Sequence, residues 1–324
     1  MRKLVLASLL LTVVACGREE EEAAVERTFR WAAPSGATVA SAALLPGGEI
    51  FVGVGGELTE ALFLSPAGKV VETAEIPVRA ARPLVVGELA FFGPEAGGAP
   101  MYRIEPATRR VREIELENIR GLQLGAFVID GRRSSSTDDG QLLVPGAGLV
   151  QISPEGFVTA VHRTDQPVRA ITHVSGDVYA YIGEDGVLGG WRKGDGFTTS
   201  FDLPAAYVGG GDGFTVLGLL QVGAIELFLN DSPLRPLGQR FVHEIELAVA
   251  PAAQRLIVGV KDRPLDGADD VEAAAPRTAL VIDGDGKVLG KVEAPSSITA
   301  VSIAADGKRA VVAHELGVIG LDVK

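Results

Sequence analysis

The sequence predicts an all-β fold of repeated four-stranded antiparallel units, on three observations. From Arg27 onward, short runs of Val, Ile, Leu and Phe alternate with turns rich in Gly, Pro and Asp, and no segment sustains a helical period. One turn type recurs, with starts at Ser65, Glu105, Ser153, Lys193, Asn230 and Asp283, separated by 40, 48, 40, 37 and 53 residues. The chain also stops three strands into its last unit, while an unmatched strand stands at its beginning.

The recurring turn reads Ser65-Pro66-Ala67-Gly68, Glu105-Pro106-Ala107-Thr108, Ser153-Pro154-Glu155-Gly156, Lys193-Gly194-Asp195-Gly196, Asn230-Asp231-Ser232-Pro233 and Asp283-Gly284-Asp285-Gly286. Most copies follow an apolar strand such as ALFL, MYRI, LVQI or ALVI and precede another such as KVVETAEIP, RVREIELEN, FVTAVH or KVLGKVEAP. Gly and Asp suit these hairpins because a tight turn needs a residue at positive φ. The last unit runs ITAVSIAA, a turn at Asp306-Gly307-Lys308, RAVVAH and GVIGLDV. Its missing outer strand is expected from RTFRWAA, residues 27–33.

A period near 40–45 residues with four strands per unit marks a β-propeller. Residues 27–324 shared among seven units give about 43 each. The prediction is a single seven-bladed propeller over 27–324, closed by the N-terminal strand so that no sheet edge of the last blade is left open. The hairpins LLPGGEIFVGV, APAAQRLIVGV and IAADGKRAVVA resemble those of WD40-like and YVTN-type bacterial propellers. That resemblance is architectural; the chain has neither a Trp-Asp nor a YVTN signature.

Residues 1–15 read as a secretory signal, with Arg2 and Lys3 before an apolar run, Leu4–Val14, too short to span a membrane. The run ends in Val13-Val14-Ala15-Cys16, which resembles the lipobox of bacterial lipoproteins. The resemblance implies cleavage before Cys16, lipidation of its thiol, and attachment to a bacterial membrane; Gly17 at the next position favours the outer membrane, facing the periplasm. Residues 16–26 then form the lipidated Cys and an acidic tether. Cys16 is the chain's one cysteine, so neither a disulfide framework nor a Cys-based zinc cluster can be built within it.

The chain has 47% hydrophobic and 22% charged residues, ample for a buried core and unlike a disordered segment. Removal of residues 1–15 takes away two cations and no anion, so the net charge of −12 becomes −14. Such a balance argues against nucleic acid as a partner, which would require a basic face.

In a propeller the a–b and c–d turns share one face, and the b–c and d–a connections share the other. The family resemblance directs ligands to the second face or the channel mouth. The b–c loops here are acidic, with Glu57, Glu60, Glu95, Glu184, Asp185 and Glu315, and the 262–277 insertion adds five more acids. The d–a connectors carry Arg79, Arg82, Arg120, Arg169 and Arg240. Guanidinium groups bind carboxylate or phosphate in bidentate fashion, so Arg79, Arg82, Arg120 and Arg169, with His173, form the candidate ligand site.

No catalytic set is expected. His162, His173, His243 and His314 fall in different units without HxH or HExxH spacing; His173, with Asp177 nearby, is the one placed for chemistry. Ser136–Gly140 matches half of an Asp-box and is read, with Arg132 and Arg133, as a flexible loop. Asp283–Gly286 begins like a calcium loop, but Lys287 and Ala294 stand where ligands belong, so it is read as a hairpin. The acidic cluster Asp266–Glu272 is a slightly better candidate for a divalent cation, against the alternative of an exposed acidic loop; Gly209–Gly213 lacks the Lys of a phosphate loop, and there is no GxSxG elbow. The two tryptophans, Trp31 and Trp191, do not repeat as in quinone-dependent propellers. No metal or other cofactor is expected. The resulting expectation is a monomeric, non-catalytic, membrane-anchored propeller that binds an envelope protein. The alternative is an enzyme or small-ligand binder that takes an anion at the channel mouth.

Overall fold

The computed structural model describes residues 24–55, 59–98, 100–117, 129–164, 166–211, 213–221, 224–230, 232–234, 246–260 and 277–324. Among these, the strands form five four-stranded sheets and one seven-stranded sheet, with antiparallel pairing between neighbouring strands. The first unit is β2 (Thr38–Leu44), β3 (Ile50–Gly55), β4 (Glu60–Leu64) and β5 (Val70–Glu75). The second is β6 (Leu84–Val86), β7 (Leu89–Phe92), β8 (Met101–Glu105) and β9 (Arg110–Ile114). The third is β10 (Ser135–Ser136), β11 (Leu142–Gly146), β12 (Gly148–Ile152) and β13 (Val158–His162).

The seven-stranded sheet holds β14 (Val168–Ser175), β15 (Val178–Gly183), β16 (Val187–Arg192), β17 (Gly196–Gly211), β18 (Phe214–Gln221), β19 (Ala224–Leu229) and β20 (Ser232–Pro233). Its long β17 pairs with β16 up to Pro204 and with β18 from Ala205. Divided there, it is the outer strand of the fourth unit and the inner strand of the fifth. The sixth unit is β21 (Leu247–Ala250), β22 (Arg255–Val260), β23 (Thr278–Asp283) and β24 (Val288–Glu293). The last is β25 (Ile298–Ile303), β26 (Arg309–His314), β27 (Gly317–Val323) and, from the other end of the chain, β1 (Val25–Ala32). A count of seven units thus takes β17 twice.

The six recurring turns all lie between the third and fourth strands of their units, where a residue at positive φ turns the chain. Gly68 takes that place in the first unit at φ 75°, and in the second Arg109 does so at φ 54°.

Alternation along each strand sends side chains to both faces of a sheet, so each unit buries apolar groups against two neighbours. Phe92 packs with Phe51, Phe63 and Tyr102 between the first and second units, while the adjacent Phe91 packs with Met101, Leu142 and Val150 between the second and third. Seven such clusters occur among the described residues, one between each successive pair of units and one between the last and the first.

Closure comes from β1, as expected from RTFRWAA. It pairs with β27 from Val25↔Val323 to Ala32↔Gly317. Phe29 lies over Gly320, where an added Cβ would stand 2.0 Å from its ring, and over Gly68 of the first unit, at 2.2 Å. Gly320→Val should push this ring aside and lower stability by about 1–3 kcal/mol, the usual cost of overpacking, read in urea or thermal unfolding.

Candidate functional site

Arginines at the centre of the ring are spent mostly on joining units. Arg82 is 8% exposed and sits just before β6, where Ala81 and Ala80 already pair with Gly93 and Pro94. Its Nη1 donates to the Leu247 carbonyl of the sixth unit at 3.0 Å. Arg132, just before β10, donates from Nη2 to Asp130 Oδ2 at 2.9 Å and from Nη1 to Glu246 Oε1 at 2.8 Å. Asp130 and Glu246 are 2% and 5% exposed, so two buried carboxylates meet the buried Arg82 and the partly exposed Arg132. The cluster braces the second and third units against the sixth, which borders neither.

Burial sets the electrostatics of the cluster. It lowers the pKa of Arg82, with Glu246 opposing, and pushes the Glu246 carboxyl up, with Arg132 and Arg82 opposing. For Arg132 burial works downward, but Glu246 and Asp130 outweigh it and hold the charge more firmly than usual. Glu246 Oε2 is buried without a hydrogen-bond partner among the described residues.

A cavity of about 740 Å3 opens at the a–b turn end of the channel, lined by the innermost strand of every unit. Arg82 and Arg132 reach its wall, with Tyr207, His173, Asp138 and Arg309. Backbone and the hydroxyls of Ser134, Ser135, Ser136, Thr137, Thr172 and Ser302 supply much of the rest. The Arg309 guanidinium fills the space a side chain would take at Gly48, whose φ is 87°, and donates to the Gly48 carbonyl at 3.4 Å.

The residues singled out from sequence are only partly brought together. Arg82 and His173 line this cavity. Arg79 does not: it is about half exposed and pairs with Glu95 of a b–c loop at 2.6 Å. Arg169 also stays outside the lining, donating to the Ala205 and Ala206 carbonyls of β17 at 3.0 and 3.3 Å. Burial lowers its pKa, with Arg133 adding to the effect. Cys16, Arg120, His243, Glu57 and Arg240 lie outside the described residues, as do the signal segment and 262–276. The cavity also opens among the a–b turns, not on the b–c and d–a side to which the resemblance pointed.

The described histidines do not converge. His173 Nε2 bonds the Gly176 carbonyl at 2.8 Å and the ring leans on Tyr179, with no bond to Asp177. His162 bonds Gln151 and meets Trp191 edge-on at 5.0 Å. His314 Nδ1 bonds Ser296 Oγ at 2.9 Å, and that oxygen also accepts the Leu316 N–H, so the pair joins backbone segments. No group of three metal-ligating side chains occurs among the described residues. Asp283 Oδ1 accepts the N–H groups of Asp285 and Lys287, as a hairpin turn requires.

The stretch expected to be a flexible loop, Arg132 to Gly140, is instead the inner edge of the third unit. Ser135 and Ser136 pair with Leu143 and Leu142, and the turn is tied by Gln141 N–H to Thr137 Oγ1. Sequence reasoning therefore missed Arg132 and its partner Glu246. The available signal was local: a hairpin turn before the strong strand LLVPG requires a strand ahead of it.

No family model matches the chain, and no curated protein matches it in sequence. Among solved structures it is similar to PorZ, an essential bacterial surface component of the type-IX secretion system of Porphyromonas gingivalis, with TM-score 0.60 and 13% identity. That match covers 93% of this chain and spans 38% of PorZ. It is also similar to the WD40 domain of Neurospora crassa Pan2, with TM-score 0.62 and 11% identity over 92% of this chain and 95% of that one. At these identities the likeness concerns the fold, which is a β-propeller.

Arg132→Ala leaves two carboxylates buried without their cation and should cost about 3–5 kcal/mol, measured by chemical denaturation. For Glu246 the folded pKa lies above the unfolded one, so the folded chain keeps a proton that the unfolded chain has released. Its contribution to stability therefore falls as pH rises from the ordinary carboxylate range through the raised folded value. The stability of the wild type relative to Glu246→Gln should decline over that interval, read from melting curves at a series of pH values.

Proposed function

We propose that this protein is a non-catalytic β-propeller that binds another protein in a bacterial cell envelope, held to the membrane by a lipid on Cys16. The observation that carries the binding reading is the brace across the channel. The charged groups that a catalytic centre would use there, Arg132, Asp130 and Glu246, are bonded to one another. Each described histidine is likewise engaged with a structural partner in a separate unit. The closed ring offers two faces of turns and loops on which a protein partner can dock.

The anchor reading rests on the sequence: a charged start, a short apolar run and Val13-Val14-Ala15-Cys16. One acyl chain holds a protein to a bilayer marginally and two hold it stably, so the multiple lipids of a lipoprotein fit permanent residence at a membrane. The stretch between Cys16 and β1 reaches at most about 30 Å, which keeps the ring close to that surface.

The test compares the native chain with Cys16→Ala. Metabolic labelling with a radioactive fatty acid should mark the native chain and leave the variant unlabelled; label on both, or on neither, overturns the anchor. Affinity isolation from gently solubilised membranes should recover one protein in stoichiometric amount with both forms, and the purified pair should re-form the complex. Recovery with neither form overturns the binding reading.

A further inference from the structure

Among the described arginines of the cavity wall, Arg82 alone is buried. We propose that the cavity at the a–b end of the channel is a binding site for a small organic carboxylate, which Arg82 and Tyr207 hold at its floor. This goes beyond protein binding, and it places an anion site on the face opposite the acidic b–c loops.

Arg82 is more than nine-tenths buried, yet among the described residues its guanidinium makes a single hydrogen bond, Nη1 to the Leu247 carbonyl. A guanidinium has five N–H donors, and none of those of Arg82 is among the fully buried side-chain atoms left without a partner, so the unbonded ones reach accessible space. Arg82 forms part of the cavity wall, so its remaining donors have the cavity as their outlet. The other arginines of the wall are engaged differently. Arg132 directs Nε, Nη1 and Nη2 onto carboxylates; Arg309, also with one hydrogen bond, is only partly buried and lies against Gly48 at the a–b turns.

Tyr207 supplies the second donor. It stands on the inner half of β17 and its hydroxyl end lies over Gly209, where an added Cβ would be 2.3 Å from the oxygen. Tyr207 and Arg82 are close enough for each to perturb the other's ionisation, and burial keeps the phenol protonated. Its hydroxyl has no hydrogen-bond partner among the described residues. A carboxylate offers two oxygens in one plane, which can accept from a guanidinium edge and a neighbouring hydroxyl together.

Charge and size narrow the class. Arg82 and Arg132 are already balanced by Asp130 and Glu246, so a monoanion disturbs the floor less than a phosphate dianion would. The cavity's volume, about 740 Å3, lies within the range of small-molecule sites. The hydroxyls of Ser135, Ser136 and Thr172 on its wall suit a hydroxylated ligand.

The experiment titrates the full chain with D-glucuronate in a calorimeter, using glucose as the uncharged match and inorganic phosphate as the other oxyanion. Glucuronate should bind saturably and glucose should not. Tyr207→Phe removes only the hydroxyl, keeps the ring packing, and should weaken binding about tenfold or more. Arg82→Lys should abolish binding; circular dichroism of each variant shows whether the ring is intact. No saturable binding, equal binding of glucose, binding of phosphate in place of glucuronate, or an undiminished affinity in folded Tyr207→Phe each overturns the proposal. None of these results bears on recovery of a protein partner, so the two readings fail separately.

Discussion

The pairing of β1 with β27 is the contact on which the rest of the architecture depends. A four-stranded sheet with apolar side chains on both faces cannot bury them alone, and stacking in an open row would leave two end faces bare. Joining the ends of the chain in one sheet makes the first and last units neighbours. The cluster of Val39, Leu62, Val311 and Val318 then buries what would otherwise be both exposed ends. Phe29 serves the same closure from the side, reaching from the last sheet to the turn at Gly68. Hairpins made of neighbouring residues build each blade; a contact between residues roughly 300 apart makes the ring.

A closed ring places seven inner strands around an axis, and that position has its own polar problem. Backbone carbonyls at the inner edges lack a further strand to accept from, and water or side chains must supply donors. Arginine is suited to this role because its donors are fixed in a fork and its charge persists at any physiological pH. Arg82 serves Leu247 and Arg169 serves Ala205 and Ala206, while at the a–b turns Arg309 serves Gly48. Further out, Arg255 of the sixth unit serves Gly307 and Val323 of the seventh. An arginine collar that looks from sequence like an anion trap is largely a set of staples between units.

What could be read from the sequence follows the range of the interaction. The hairpin turns were legible because their requirement for positive φ is local and selects Gly, Asn and a few others. The closing strand was legible because a blade with three strands leaves an apolar deficit that RTFRWAA fills. The merging of two units through β17 was not, since no turn separates residues 204 and 205; Pro204, standing where the strand changes partners, was the one available sign. The brace was illegible for a different reason. Arg132 and Glu246 are 114 positions apart, and nothing near either residue names the other. A run of Arg and Ser followed by Thr-Asp-Asp-Gly has the composition of a loop, and only its position ahead of LLVPG makes it a strand.

The buried brace raises the question of what it contributes, because replacing such a cluster with apolar groups often leaves stability unchanged or improved. Its geometry suggests an answer in specificity. Apolar clusters between neighbouring blades are tolerant of small slips, whereas Arg132 meets Asp130 and Glu246 in one arrangement of the third and sixth units. Hydrogen bonds across the axis therefore fix the distance between blades that share no packed face. The cavity above inherits that rigidity, since Arg132 and Leu247 belong to both the brace and the cavity wall. Arg82 is bound to the same carbonyl and thus held in place while most of its donors stay free, which is the condition for a preorganised site. The brace thereby holds in place the most deeply buried of the described arginines in the cavity wall, one whose remaining donors face the cavity.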